Sequence, residues 1–195
     1  MTALAKYHHL RSQIKAGDIV LFRSNKLIPS RCIQWLDKAY YNHAGIVFEA
    51  EGRLFILDSN APGVHPDFLS LRLKEYADFC IIRPLFNEEK VHQSLQQTFK
   101  KADKGIRYDY GLLVQIALYR LSGTKENFHS KNHFICSEFV RKYTNYLQPA
   151  PNCYTKPAMP TTFITPWDLL IYADKNFEVL FDESNKNSYR KAVTG

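Results

Sequence analysis

Cys136 directly precedes SEFVRKYTNYL, a stretch with helical spacing of apolar residues. Unpaired backbone N–H groups at a helix start, and the helix dipole, favour an anion there, and for a thiol that anion is the thiolate. An ordinary thiol of pKa about 8.5 is only about 3% ionised at pH 7, whereas a pKa two units lower gives roughly 75%. Such a drop needs about 2.7 kcal/mol, and the dipole supplies roughly 0.3 to 2 kcal/mol. A neighbouring imidazolium has to provide the rest. The competing reading of Cys136 is structural, since a cysteine without a partner is often a small buried hydrophobe. Cys32 in a helical pattern, Cys80 in an apolar strand and Cys153 in a proline-rich stretch have weaker chemical claims.

Of the seven histidines, His43 stands at the start of a strong strand pattern, NHAGIVFEAEGRLFILDSN, in which two β-rich runs flank Glu51-Gly52. A two-residue turn there pairs Ala50 with Arg53, and the same register puts Gly45 opposite Asp58 and His43 opposite Asn60. Asp58 then becomes a diagonal neighbour of His43 on one face, roughly 7 to 8 Å away between backbones and within reach of a carboxylate-to-imidazole hydrogen bond. Gly45 between them leaves room. Asn60 is the alternative orienting residue, because a slip of one position sends Asp58 to the opposite face. Glu49 shares the face but sits at the turn end. A helix-terminal thiol, a strand histidine and an adjacent carboxylate are the parts of a Cys-His-acid nucleophile system. An ordinary polar strand-end histidine and a turn-capping aspartate remain the plainer readings.

The elements that must position these groups follow from periodicity. AGD leads into a buried-type strand, Ile19 to Arg23, and Ser30 caps a helical pattern through Ile33, Leu36 and Tyr40. Pro62 to Leu73, with two prolines and a glycine, reads as a surface loop, and Phe79 to Pro84 as another buried strand. Val91, Leu95, Phe99 and Ala102 recur at helical spacing, Tyr108 to Leu121 is a more apolar helix, and a further helix begins near Ser137 with Phe139, Val140, Tyr143 and Leu147 inward. Residues 149 to 166 form a proline-rich loop, a short helix starts at Pro166-Trp167 after a Thr165 cap, FEVLFD is a final strand, and the last dozen residues fray. Short strands interleaved with segregated helices predict an α+β fold.

With 195 residues the chain is sized for one domain, 1–195, with a core over about 17–182 and flanking segments 1–16 and 183–195. Its hydrophobic content of 45% sets it apart from disordered chains. A net charge of +7 permits attraction to phosphate, anionic lipid or anionic cell-wall polymer. The scattered basic residues predict no nucleic-acid partner. Four irregularly spaced cysteines predict free thiols rather than a disulfide framework, and no C-x-x-C pair suggests zinc. His8-His9 and the pair His129 and His133 read as solvated, so neither a metal nor another cofactor is expected. The N-terminal residues lack the apolar run of a signal peptide and no stretch reaches the ~20 residues of a membrane span, so a cytoplasmic location is expected.

GDIVLF (17–22), NHAGIVFE (42–49), FILDSNAPGV (55–64), YDYG (108–111), FICSEFV (134–140) and TPWDL (165–169) resemble the permuted papain-like amidases, the YiiX-like branch of the NlpC-type cysteine peptidase superfamily. The resemblance spans about 17–170 and keeps the permuted order, histidine strand before cysteine helix. It implies a circularly permuted papain-like core, a small antiparallel sheet carrying the histidine and packed against the helix carrying the cysteine. It also implies Cys136 as nucleophile, His43 as base and Asp58 at the third polar position, where this branch usually has Glu. Tyr108 and Asp109 match a recurring YD pair that supports the site or its packing, and with Asn60 they are the expected substrate-side residues.

The expected function is a cysteine hydrolase cleaving an amide bond, as in a small peptide or cell-wall fragment. A lipid-acting acyltransferase or thioesterase with the same Cys-His pair, for which contact with a membrane surface is permitted by the charge, is the alternative enzyme reading. A catalytically silent binding module is the reading from another class.

Overall fold

The computed structural model describes residues 2–24, 39–60, 63–122, 133–148, 165–171, 176–182 and 184. The expected Ser30-capped helix except its end, Cys32, His129, Cys153, nearly all of the proline-rich loop and all but Ser184 of the last dozen residues lie outside them.

Helix α1 (Ala3–Leu10) precedes β1 (Ile19–Arg23), and the turn between them explains the GD pair. Gly17 takes φ +92°. Asp18 accepts the Lys15 amide at 2.9 Å, while Arg83 grips its two oxygens at 2.9 and 2.7 Å. The hairpin follows as β2 (His43–Ala50) and β3 (Arg53–Asn60). Both turn residues, Glu51 and Gly52, have positive φ, which is the turn whose twist suits a two-residue hairpin. Ala50 pairs with Arg53 and Gly45 with Asp58, the register expected from the turn.

Pro62 to Leu73 departs from its expected loop. It contains β4 (Gly63–Phe68) and the short helix α2 (Leu69–Arg72). Proline is compatible with this strand because β4 is the edge of the sheet, where a residue facing outward needs no ladder N–H; Pro66 lies opposite Leu57. Next come β5 (Asp78–Pro84), helix α3 (Glu88–Ala102), β6 (Arg107–Tyr108), α4 (Tyr110–Ser122), β7 (His133–Phe134), α5 (Cys136–Leu147), α6 (Pro166–Ile171) and β8 (Phe177–Asp182). The apolar helix thus starts two residues later than expected, since Arg107 and Tyr108 pair in parallel with His133 and Phe134. At α6 the cap is reciprocal: Thr165 Oγ1 accepts the Asp168 amide and Asp168 Oδ2 accepts the Thr165 amide.

Six strands form one sheet in the order β4-β3-β2-β1-β5-β8, antiparallel at each described pairing, and β6 with β7 forms a separate ribbon. The sheet is apolar on both faces, so alternate residues of each strand feed different cores. Ile19, Leu21, Ile46 and Ile82 pack with Phe139, Val140, Tyr143 and Leu147 of α5. Val20, Phe22, Val47 and Ile56 pack with Ala3, Tyr7, Leu69 and Leu73 from α1, α2 and its end. Leu95 of α3 is buried in the first core, with Val91, Phe99 and Ala102 half-buried against it, as the helical spacing predicts. Among the described residues no helix is long and apolar enough to cross a membrane.

A methyl group on Gly17 would lie 2.3 Å from Val91 Cγ1 and 2.7 Å from the Tyr143 hydroxyl, which donates to the Gly17 carbonyl at 3.0 Å. Gly17→Ala combines that clash with a left-handed backbone, and a loss of about 2 kcal/mol or more in urea unfolding is expected.

Candidate active site

His43 is the first residue of β2 and Cys136 the first of α5, and the two meet at one end of the sheet. Two anchors bring them there. The ribbon β6–β7 docks on the hairpin side, with the Val64 amide bonded to the Ile106 carbonyl at 3.3 Å and Ser59 Oγ donating to the Phe134 carbonyl at 2.8 Å. Ser59 adjoins Asp58, and Phe134 stands two residues before Cys136, so one hydrogen bond ties the carboxylate strand to the cysteine segment. From the other end, the inward residues of α5 fasten the helix to the sheet, each contributing roughly 1.5 to 3 kcal/mol.

The Cys136 side chain lies beside the His43 ring, close enough for its sulfur to raise the imidazole pKa. His43 Nε2 meets Asp58 Oδ2 at 2.7 Å, which leaves Nδ1 as the nitrogen for the thiol proton. The ring is clamped: Tyr76 stacks on it at 5.7 Å and 6°, and Phe22, its cross-strand partner, lies at 5.9 Å and 35°. Asp58 is fully buried, and its other oxygen accepts Arg72 Nη2 at 3.1 Å. Gly45 makes the close approach feasible, because a Cβ there would stand 2.7 Å from Ile56 Cγ1 and 3.0 Å from Asp58 Cβ.

The electrostatics follow from these contacts. Burial opposes a charged His43, yet the Coulombic influence of Tyr76 and Cys136, and hydrogen bonds to Asp58 and Cys136, hold its pKa well above the ordinary value. Burial keeps the Tyr76 hydroxyl itself protonated at neutral pH, so Asp58 and the Cys136 sulfur are the groups that favour the imidazolium there. Burial would raise the Asp58 pKa, but the hydrogen bond and charge of His43, then Arg72 and His65, bring it below the usual carboxylate value. The Tyr108 hydroxyl is held protonated mainly by burial, with the nearby Cys136 adding to the effect.

Cys136, His43 and Asp58 are therefore brought together, and Asp58 rather than Asn60 bonds the imidazole. Asn60 directs Nδ2 to His65 Nε2 at 3.3 Å. Asp109 is buried and caps α4, its Oδ1 accepting the Leu112 amide at 2.8 Å, so it sets the turn after Tyr108. Cys80 is fully buried in β5. Arg72 and Tyr76 were not among the expected site residues. Both lie in or just beyond the segment read as loop, and neither carries a local pattern that points to His43.

The linkage has a definite sign. Raised in the fold, the His43 pKa contributes stability that is fully present below about 6.5 and lost as pH rises through the folded value. Asp58, lowered in the fold, contributes stability present above about 3.9 and lost as pH falls through its folded value. Asp58→Asn removes the charge that favours the imidazolium, so the His43 midpoint in an NMR titration is expected to fall, and the loss of stability above about pH 6.5 to become shallower.

No protein-family profile and no curated protein matches the chain. Among solved structures, the crystal structure of the metalloprotein YiiX from Escherichia coli O157:H7 is similar over 88% of this chain and 98% of that chain, with a TM-score of 0.64 and 16% identity. The chain thus has the YiiX-like mixed fold that its motifs led one to expect.

Proposed function

We propose that the chain is a cysteine hydrolase that cleaves an amide bond through an acyl-enzyme on Cys136. The observation that carries this is the imidazole of His43 held between the Cys136 thiol and the Asp58 carboxylate, 2.7 Å from the latter. In this reading His43 Nδ1 takes the thiol proton and the sulfur attacks the substrate carbonyl carbon. Backbone N–H groups at the start of α5 face the developing oxyanion, where such donors count most. The tetrahedral intermediate expels the amine, which takes the proton from the imidazolium. Water, deprotonated by His43, then attacks the thioester and restores the thiol. Asp58 stays ionised and holds the tautomer. The net charge of +7 favours anionic peptides or cell-wall fragments as substrates.

The similar crystal structure is that of a metalloprotein, but the side chains of this chain's site are poorly suited to a metal. Among the described residues no group of three or more His, Cys, Asp or Glu side chains is placed so that it could hold a metal ion. The His43–Asp58 pair is closed by the Arg72 guanidinium, whose charge opposes a cation. The site does not fit a metal.

A second reading, an acyl-bearing lipid as substrate, is favoured by one observation. Tyr110, Val114 and Leu118, four residues apart on α4, are 54, 58 and 39% exposed, and the stripe begins two residues after Tyr108. Parallel assays of dipeptide amides and long-chain acyl thioesters separate the two readings.

Cys136→Ala is expected to lower hydrolysis by more than about 10³-fold while the melting temperature moves by no more than about 3 °C. Turnover that survives this change overturns the proposal. No hydrolysis, with iodoacetamide labelling of Cys136 no faster than an ordinary thiol, favours a binding module instead.

A further inference from the structure

The geometry points to Arg72 as a positioning residue for His43, one that holds the second oxygen of Asp58 and offsets that carboxylate's charge. The inference rests on reading His43 and Cys136 as a catalytic pair, and it concerns what keeps the imidazole able to release a proton as well as bind one. A fully buried carboxylate 2.7 Å from the ring, with no other partner, would hold the imidazolium tightly and hinder its transfer of a proton to the leaving amine. Arg72 divides the carboxylate between two cations, at Oδ2 for His43 and Oδ1 for Arg72. Arginine suits this task because its charge does not change over the working pH range.

The surroundings fix the guanidinium. Arg72 ends α2, between the fully buried Leu69 and Leu73, and is itself only 8% exposed. Its Nη1 reaches Glu75 at 3.0 Å, but Glu75 is largely exposed, so that bond adds little. His65 Nε2 faces Arg72 Nη2 and Asn60 Nδ2, each at 3.3 Å, and its Nδ1 faces the Gly63 carbonyl at 3.3 Å. Arg72 Nε is buried with no described partner, so the guanidinium is placed by Asp58 and its neighbours at the expense of one of its own donors.

The groups facing His43 are Asp58 from β3, Cys136 from α5 and Tyr76 from the segment after α2, with Arg72 and Glu75 behind Asp58, His65 on β4 and Tyr108 on β6 around them. With the two tyrosine hydroxyls kept neutral by burial, Arg72 is the fixed cation beside Asp58.

The test is an NMR titration of the His43 ring in the full chain carrying Cys136→Ala, which removes the sulfur and needs no turnover. Arg72→Gln deletes a positive charge near the imidazole and is expected to raise the His43 midpoint by about one pH unit. Arg72→Lys, which keeps the charge, is expected to restore it to within a few tenths of a unit. A merely structural arginine predicts an unmoved midpoint in Arg72→Gln, and that result overturns the inference. Should Arg72→Gln not fold, the exposed Glu75→Gln removes the opposing charge on Arg72 and is expected to lower the midpoint by a few tenths of a unit; an unchanged midpoint there also overturns it. Failure of the hydrolase reading shows separately, as absent turnover and ordinary Cys136 labelling in the otherwise unaltered chain.

Discussion

The site turns on one buried carboxylate. Asp58 has no exposure to water, and an ionised carboxylate in that position is tolerated only when its oxygens are paired. Here one oxygen meets His43 and the other Arg72, and the pairing outweighs the burial that would otherwise neutralise the acid. Other features serve this arrangement. The two-residue turn sets the register that brings Asp58 to the histidine face, Gly45 leaves the space, and α2 delivers the guanidinium from the outer edge of the sheet.

The four participants come from three lengths of chain held by different forces. Hydrogen bonds of the hairpin fix His43 relative to Asp58, while the burial of Leu69 and Leu73 fixes Arg72. Cys136 depends on both: α5 is held by apolar packing on the opposite face of the sheet, and the strand before it by the Ser59 hydroxyl. The thiol and imidazole therefore meet at the sheet end, where residues from the two cores come together. This division lets the polar cluster sit beside Phe22 and Tyr76 without breaking either core, since the aromatic rings clamp the imidazole by its faces and leave its nitrogens to Asp58 and Cys136.

Similarity to the YiiX structure extends over nearly the whole chain, but a fold carries many chemistries, and the chemistry here has to be argued from the site. The pairing of Asp58 with Arg72 is central to that argument. It supplies a negative group for the imidazole while leaving the cluster short of the ligands and the charge that a cation needs.

Local structure is legible in the order of the amino acids. Alternation of apolar residues and the Glu51-Gly52 turn specify the β2–β3 hairpin and its register, because a two-residue turn leaves one pairing that buries the apolar face. The helical spacing after Cys136 specifies which residues of α5 face inward, and the cap residue Thr165 specifies where α6 starts. From these the meeting of His43 with Asp58 was legible, since both lie on one hairpin. The remainder came from contacts between distant parts of the chain. Gly63 to Arg72 has a proline and a glycine that read as loop, and it becomes strand and helix because the β3 edge offers it hydrogen-bond partners. Arg72 and Tyr76 reach the site through that segment, and Tyr108 through a two-residue strand too short to leave a periodic signal. Those placements depend on partners distant along the chain, and a charge or ring is selected there by the buried group it meets, which no local pattern encodes.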